Sequence, residues 1–396
     1  MASNGNSFGS NFIREKISTM TDTKKFSLKD HLFNREKVEK IAREISGVYP
    51  GFKSEDFSKK VLVKFPELEL MQRVYWIRTC LREYLPWDYK DAVNILLMSL
   101  PPPCDPALSD DDFGSFIYSP YSYFVAEWGC VNEYVSFSLD ALHQLTTRFS
   151  VEGPIRFFLN NFPEETMRSM SRWVDDDHYH IRRLVSEGTR PKLPWAKAIT
   201  LQIEEPIPFL EILHTDRTRF VTRSVANHLN DISKQNADLV IKTLKRWHKA
   251  GKQDNKELDF ITRHSLRSLV KNGHQDALEL LGFSARAFKV ENLVIKTSRV
   301  KVGEAVEFSF EIVSIANRAQ ALMIDYILHF QKNNGEFASK TYKIAKKTIA
   351  PKEVITIEKK HPLRVMTTRK LYPGTHKVEL QINGKKFGVK KFLLAT

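Results

Sequence analysis

Through the first two thirds of the chain, apolar residues return every three or four positions. VEKIAREI (38–45), LELMQRVYWIRTCLREYL (68–85) and YKDAVNILLMSL (89–100) each place them on one side of a helix. The last of these runs into Pro101-Pro102-Pro103, where the missing amide hydrogen and the ring clash must end it. Beyond Gly282 the period falls to two. VEFSFEIV (306–313), MIDYILHF (323–330), YKIAKKTI (342–349), VITIEKK (354–360) and HKVELQI (376–382) alternate like half-buried strands. Asn383-Gly384 before KKFGVKKFLL predicts a hairpin with a type I′ turn.

The helical part carries a repeat. IRRLVSEG from Ile181, VTRSVANH from Val221 and ITRHSLRS from Ile261 align so that Arg183, Arg223 and Arg263 follow one another at intervals of 40. That is the length of a HEAT-type helical hairpin. Asp176 and Asp216 fall in register ahead of the first two copies, and the third has Lys256 there. The expected fold is therefore mainly α, a HEAT-like helical-repeat solenoid with an extended concave face, followed by a C-terminal immunoglobulin-like β-sandwich of six to eight strands. The expected division is a flexible tail at 1–24, a repeat domain at 25–284 and a β domain at 285–396.

Charge separates the same two parts. From Ala285 onward 22 Lys and Arg stand against 9 Asp and Glu, so nearly all of the net +14 lies in the last 112 residues. A basic module of this kind fits a polyanion, because each phosphate it neutralises releases condensed counterions. The sequence has no run of eighteen apolar residues and no apolar leader, so a soluble, intracellular protein with no membrane role is expected. Cys80, Cys104 and Cys130 are odd in number and form no CxxC pair, which argues against a disulfide framework or a zinc site.

Two stretches concentrate chemistry. In WVDDDHYHIRRLVSEGTRPKLPW (173–195), adjacent aspartates cannot all face one ion, whereas acids ahead of a helix satisfy its free N–H groups; Asp176, with its counterpart Asp216, fits such a cap. Arg183 recurs, as a packing or aspartate-pairing residue would, but Arg182 does not. After Gly188 the unrepeated, proline-stiffened TRPKLPW presents Arg190, Lys192 and Trp195, which can grip a phosphate backbone or pack as an inter-helix loop. The second stretch, FIYSPYSYFVAEWGCVNEYVSFSLDAL (116–142), surrounds Glu127 with aromatic residues. A glutamate between Ala126 and Trp128 either faces solvent or has a task.

With Trp173 and Asp176 running into HIRRLVSEGTRPKLPW (180–195), then TRSVANHLNDISK (222–234), ITRHSLRSLVKNG (261–273), LKDHLFN (28–34) and FVAEWG (124–129), the chain resembles the AlkC family of DNA alkylation repair glycosylases over nearly its whole length. It departs from the pattern at Val174 and in its dense acidic triplet. The resemblance implies a monofunctional base-excision enzyme, acting in the cytoplasm at the nucleoid on small cationic alkylated bases of the 3-methyladenine type in duplex DNA. It implies no need of a metal or an organic cofactor, and a basic β domain clamping the duplex; a solenoid clasping DNA suggests a monomer.

On that reading Glu127 is the leading catalytic candidate, followed by Asp176, with Trp173 or Trp128 against base or sugar. Arg182, Arg183, Arg190, Lys192, Trp195, Arg223 and Asn227 are the expected DNA contacts. A non-catalytic repeat scaffold and a metal-dependent nuclease built on DDDHYH are the rival readings.

Overall fold

The computed structural model describes residues 27–108, 113–364 and 370–395, so the tail expected at 1–24 lies outside the described residues. Its helices follow the apolar periodicity. The first are α1 (Leu28–Leu32), α2 (Arg35–Val48), α3 (Ser54–Val63), α4 (Leu70–Tyr84) and α5 (Tyr89–Met98). They are followed by α6 (Ser119–Trp128), α7 (Val135–Thr146), α8 (Ile155–Asn161), α9 (Pro163–Trp173) and α10 (Tyr179–Gly188). Next come α11 (Ile207–Leu213), α12 (Arg219–Ile232), α13 (Ala237–Ala250), α14 (Asn255–Ser265), α15 (Arg267–Lys271) and α16 (Gln275–Leu280).

Local chemistry sets the ends of these helices. Asn34 accepts from Lys37 N at 3.0 Å to open α2, whose buried face is Val38, Ile41, Ala42 and Ile45, the i, i+3, i+4, i+7 stripe. Glu69 and Gln72 form a reciprocal capping box on α4. Helix α5 ends at Met98, just ahead of the three prolines.

Two compact units divide the chain, Met1–Asp231 with Lys252–Ile261, and Ile232–Gly251 with Thr262–Thr396. In the second, strands β1 (Phe288–Ile295), β3 (Ala305–Ser314) and β6 (Val354–Pro362) form one sheet in the order β1-β3-β6. The other sheet, in the order β2-β8-β7-β4-β5, contains β2 (Arg299–Lys301), β4 (Gln320–Gln331), β5 (Phe337–Ile349), β7 (Gly374–Ile382) and β8 (Lys385–Ala395). Both sheets contribute to one core that includes Phe308 and Phe310 from the first and Tyr326, Leu328, Val378 and Leu380 from the second.

At the β7–β8 turn, Asn383 and Gly384 have φ of 45° and 76°, the two positive values a type I′ turn needs. Two features differ from the alternating pattern. The short β2 pairs parallel with β8, and three residues give too little alternation to be read in advance. Strand β4 is buried almost throughout rather than on one face, because Met323 packs with Leu278 of α16 and Phe283 while its neighbours face the sandwich core.

Candidate active site

Helix α6 is buried from Ser119 to Ala126 and then delivers Glu127 to the surface, with 43% of the side chain exposed. A carboxylate in the last turn sits at the unfavourable end of the helix dipole. Arg78 of α4 compensates, donating from Nη1 to Glu127 Oε2 at 2.8 Å. Among the described residues Glu127 Oε1 has no protein partner, so one carboxylate oxygen stays open. Gly129 lets the chain turn away directly afterwards. A Cβ there would stand 1.9 Å from Tyr89 Oη and 2.3 Å from Ser138 Oγ.

Rings and guanidinium groups line the surface beside Glu127. Trp128 packs on Phe124 with centroids 4.5 Å apart, and Arg78 and Arg82 lie 5.6 and 5.9 Å from its ring. Sequence reasoning passed over both arginines. Tyr75, Arg78 and Arg82 stand at i, i+3 and i+7 of α4, a spacing that puts them on one face.

The second carboxylate, Asp176, lies in the turn between α9 and α10. Its Oδ1 accepts from His178 N and its Oδ2 meets His143 Nε2, both at 2.8 Å. The residue that caps α10 is His178, whose Nδ1 accepts from His180 N at 3.2 Å while its Nε2 donates to Cys104 O at 3.0 Å. Burial lowers the pKa of His178, consistent with a neutral ring whose two nitrogens are already assigned to these bonds. The capping role expected of Asp176 is thus corrected by two positions: the extended backbone that a cap requires falls at 178, and Asp176 shapes the turn before it. Trp173 is 5% exposed and packs on His143 at 5.5 Å, so in this state it supports Asp176 rather than presenting a face to a base. Glu127 and Asp176 share no contact.

Asp216 repeats the turn, accepting from Thr218 N at 2.8 Å. In the third copy Asp254 accepts from Lys256 N at 2.9 Å, so the acid missing at 256 stands two residues earlier. Helix α14 accordingly begins earlier relative to Arg263 than its counterparts do relative to Arg183 and Arg223.

The expected phosphate contacts divide into inner and outer groups. Arg182 donates from Nε and Nη2 to Asp216, at 2.5 and 3.2 Å, and from Nη1 to the carbonyls of Asp176 and Asp177. Arg183 pairs with Glu152 at 2.9 Å and lies over the Phe220 ring. Arg190 is buried, donating to Asp231 from Nε and Nη2 at 2.9 and 2.7 Å and from Nη1 to Glu187. Asn227 is buried and Arg223 half-buried. The phosphate-contact expectation is corrected for Arg182 and Arg190, and the DNA-contact expectation for Arg183, because their guanidinium groups are already engaged inside the protein, and Asn227 is buried as well.

Lys192 and Trp195 do face solvent, Trp195 with 71% of its area exposed. Their loop is held at its base by the fully buried Arg156, which donates to the carbonyls of Gly188, Arg190 and Lys197. Asn160 holds the far side, donating to Ala198 O at 2.9 Å. Trp195 itself takes φ of 60°, a left-handed value unusual for a side chain of that size. Exposed Asp175, Asp177 and Arg217 line a shallow cleft of about 370 Å³ beside Asp216. Among the described residues no three His, Cys, Asp or Glu side chains converge as a metal site, and no helix is long and apolar enough to cross a membrane.

Residues 289–396 match the family described as the C-terminal Ig-like domain of the uncharacterised protein YhaZ. YhaZ of Bacillus subtilis (strain 168), itself uncharacterised, is 32% identical over 361 residues, covering 89% of this chain and 96% of that protein. Among solved structures, the alkylpurine DNA glycosylase AlkC of Pseudomonas fluorescens, bound to DNA containing an abasic site analog, is 33% identical with a TM-score of 0.80. That likeness covers 94% of this chain and 100% of AlkC.

Proposed function

The chain belongs to the AlkC family, and on that footing we propose that it is a DNA glycosylase removing small cationic alkylated bases from duplex DNA by hydrolysis of the N-glycosidic bond. A base methylated at a ring nitrogen carries positive charge and leaves as a neutral heterocycle. The enzyme then has little acid chemistry to supply. It must stabilise the oxocarbenium-like sugar and place a water, and a carboxylate serves both purposes.

Glu127 fits that task better than Asp176. Arg78 fixes one of its oxygens and the other is open, whereas both oxygens of Asp176 already accept hydrogen bonds. This open, oriented carboxylate beside Trp128 is the observation that carries the residue assignment. Asp176, steadied by His143, takes a supporting electrostatic role near the sugar. Trp128 offers its face to the cationic base, a contact on the order of 0.5–2 kcal/mol.

The helical hairpins form a HEAT-like solenoid whose concave face receives the duplex as a monomer. Lys192 and Trp195 reach the DNA from their anchored loop. Exposed lysines of the β domain hold the backbone, with Lys385, Lys390 and Lys391 of β8 the leading contacts. Release of free methylated base from methylated duplex DNA, in EDTA, tests the reading. Release by the wild-type protein supports it, and a folded protein that binds DNA yet releases no base replaces it with a non-catalytic scaffold.

A further inference from the structure

Helix α13 carries a row of charge to which the proposed reaction assigns no task. Its apolar side, Val240, Ile241, Leu244 and Trp247, is buried and holds the helix in place. The other side presents Lys242, Lys245 and Lys249 at i, i+3 and i+7, all exposed, with Arg246 exposed beside them. Among the described residues none of these three lysines has a carboxylate partner, and Asp238 in the first turn is the one acid of the helix.

Elsewhere the chain balances such faces. On α2, Arg35 meets Glu39 and Lys40 meets Glu44. In the two earlier repeats the helices that hold the place of α13 are not basic: α9 sets Glu164 and Glu165 against Arg168 and Arg172, and the charge of α11 is Glu211. Helix α13 instead puts like charges four apart, Lys242 with Arg246 and Lys245 with Lys249, a spacing that disfavours a helix. Lys249 lies in the last turn, where the helix dipole favours a cation, but Lys242 and Lys245 lie further in. The chemistry of the row selects its partner. Protein interfaces are poor in lysine and depend on apolar or aromatic anchors, and α13 exposes no large apolar side chain. A phosphodiester backbone needs only cations, and with a charge for about every 1.7 Å of duplex axis it meets a lysine row about 10 Å long in any register.

We infer that Lys242, Lys245 and Lys249 form a second, sequence-independent contact for duplex DNA, additional to those that bring a lesion to Glu127, through which the protein passes from one DNA segment to another. The inference rests on the glycosylase reading only in taking DNA as the polyanion. An incoming duplex held by these lysines can bind before the first has left. Transfer of that kind lets a protein survey DNA without a complete return to solution.

The test is the rate at which the full-length protein leaves a labelled, undamaged duplex as unlabelled duplex is added. It compares wild type with Lys242→Gln/Lys245→Gln/Lys249→Gln and with Lys242→Arg/Lys245→Arg/Lys249→Arg. Exposed glutamines relieve the repulsion along α13, so the first variant should melt no lower than wild type. A rate that climbs severalfold with competitor for wild type and the Arg variant, and stays flat for the Gln variant, supports the second contact. A flat rate for wild type, a climb that survives in the Gln variant, or equal acceleration by polyglutamate overturns it. So does a Gln variant that leaves severalfold faster with no competitor present, since the lysines would then belong to the first contact. Base release keeps the two readings apart. Release by a wild type whose rate is flat retains the glycosylase and removes the second contact; a lysine-dependent climb without any base release does the reverse.

Discussion

Arg182 donates to both oxygens of Asp216, the aspartate that holds in the next repeat the place Asp176 holds in its own. Arg219 does the same one step on, donating to both oxygens of Glu257. Each repeat thus passes an arginine to an acid at or near the start of the helix in the next. These arginines tie successive hairpins together, and stability is what their loss should reduce.

Arg190→Ala is expected to lower unfolding free energy by about 3–5 kcal/mol, because it removes the guanidinium that bridges the buried carboxylates of Glu187 and Asp231. Denaturant unfolding measures this directly. The slope of DNA affinity against salt concentration should be unchanged in whatever fraction remains folded, because no phosphate contact is lost. A flatter slope would return Arg190 to the DNA surface.

Glu127→Gln should bind methylated DNA about as well as wild type while releasing base at least about tenfold more slowly, a change of roughly 1.4 kcal/mol in the barrier. Asp176→Asn should cost less, since the amide oxygen can still accept from His178 N and the new NH2 can donate to His143 Nε2 in its other tautomer. Single-turnover release on one substrate ranks the two, and the opposite order would exchange their roles.

Trp195→Gly should separate binding from stability. Glycine removes the cost of φ at 60°, offset in part by its freer unfolded chain, so stability should hold or rise by up to about 1 kcal/mol. DNA affinity should fall. Thermal melting and a binding titration on the same sample decide it, and a variant that melts lower yet binds normally would make Trp195 a packing residue.

Neutralising Lys385, Lys390 and Lys391 to Gln should flatten the salt dependence of DNA binding by about 0.9 in log–log slope for each phosphate contact removed. An unchanged slope would exclude this edge of the β domain from the DNA surface.

Acid should weaken the fold in two stages. Burial pushes the fully enclosed His228 down to about 4 from an ordinary 6.5. The unfolded chain therefore takes up that proton first, and stability is lost as pH falls from about 6.5 towards 4. For Glu187 burial alone would raise the pKa, but Arg190, Arg183 and the Ser224 hydroxyl outweigh it and hold the carboxyl well below 4.5. Its contribution is present above 4.5 and is lost below that as the folded pKa is approached. Melting temperature against pH for wild type and His228→Gln should diverge in the upper window and run parallel in the lower.

The pattern of apolar positions was enough to read most helices and strands, because burial on one face leaves a period in the chain. The placement of Glu127 was half legible, since a glutamate between Ala126 and Trp128 must face solvent or have a task, and the structure brings it to the surface. The destination of an arginine was not. Arg190 in TRPKLPW reads the same whether it meets a phosphate or Asp231, 41 residues downstream, and only the packing of helices decides. His143 is likewise silent in VSFSLDALHQLT until the turn carrying Asp176 is laid against it. Arg78 and Arg82 left a signal in their spacing from Tyr75, but an amphipathic helix carries many such spacings.

The loop that displays Trp195 takes its shape from Arg156, a residue of a different helix whose guanidinium holds only backbone carbonyls. Because those acceptors are common to every amino acid, the anchor is indifferent to what the tip carries. Positions 192 and 195 can therefore be exchanged as a cassette, with the helices beneath left as they are.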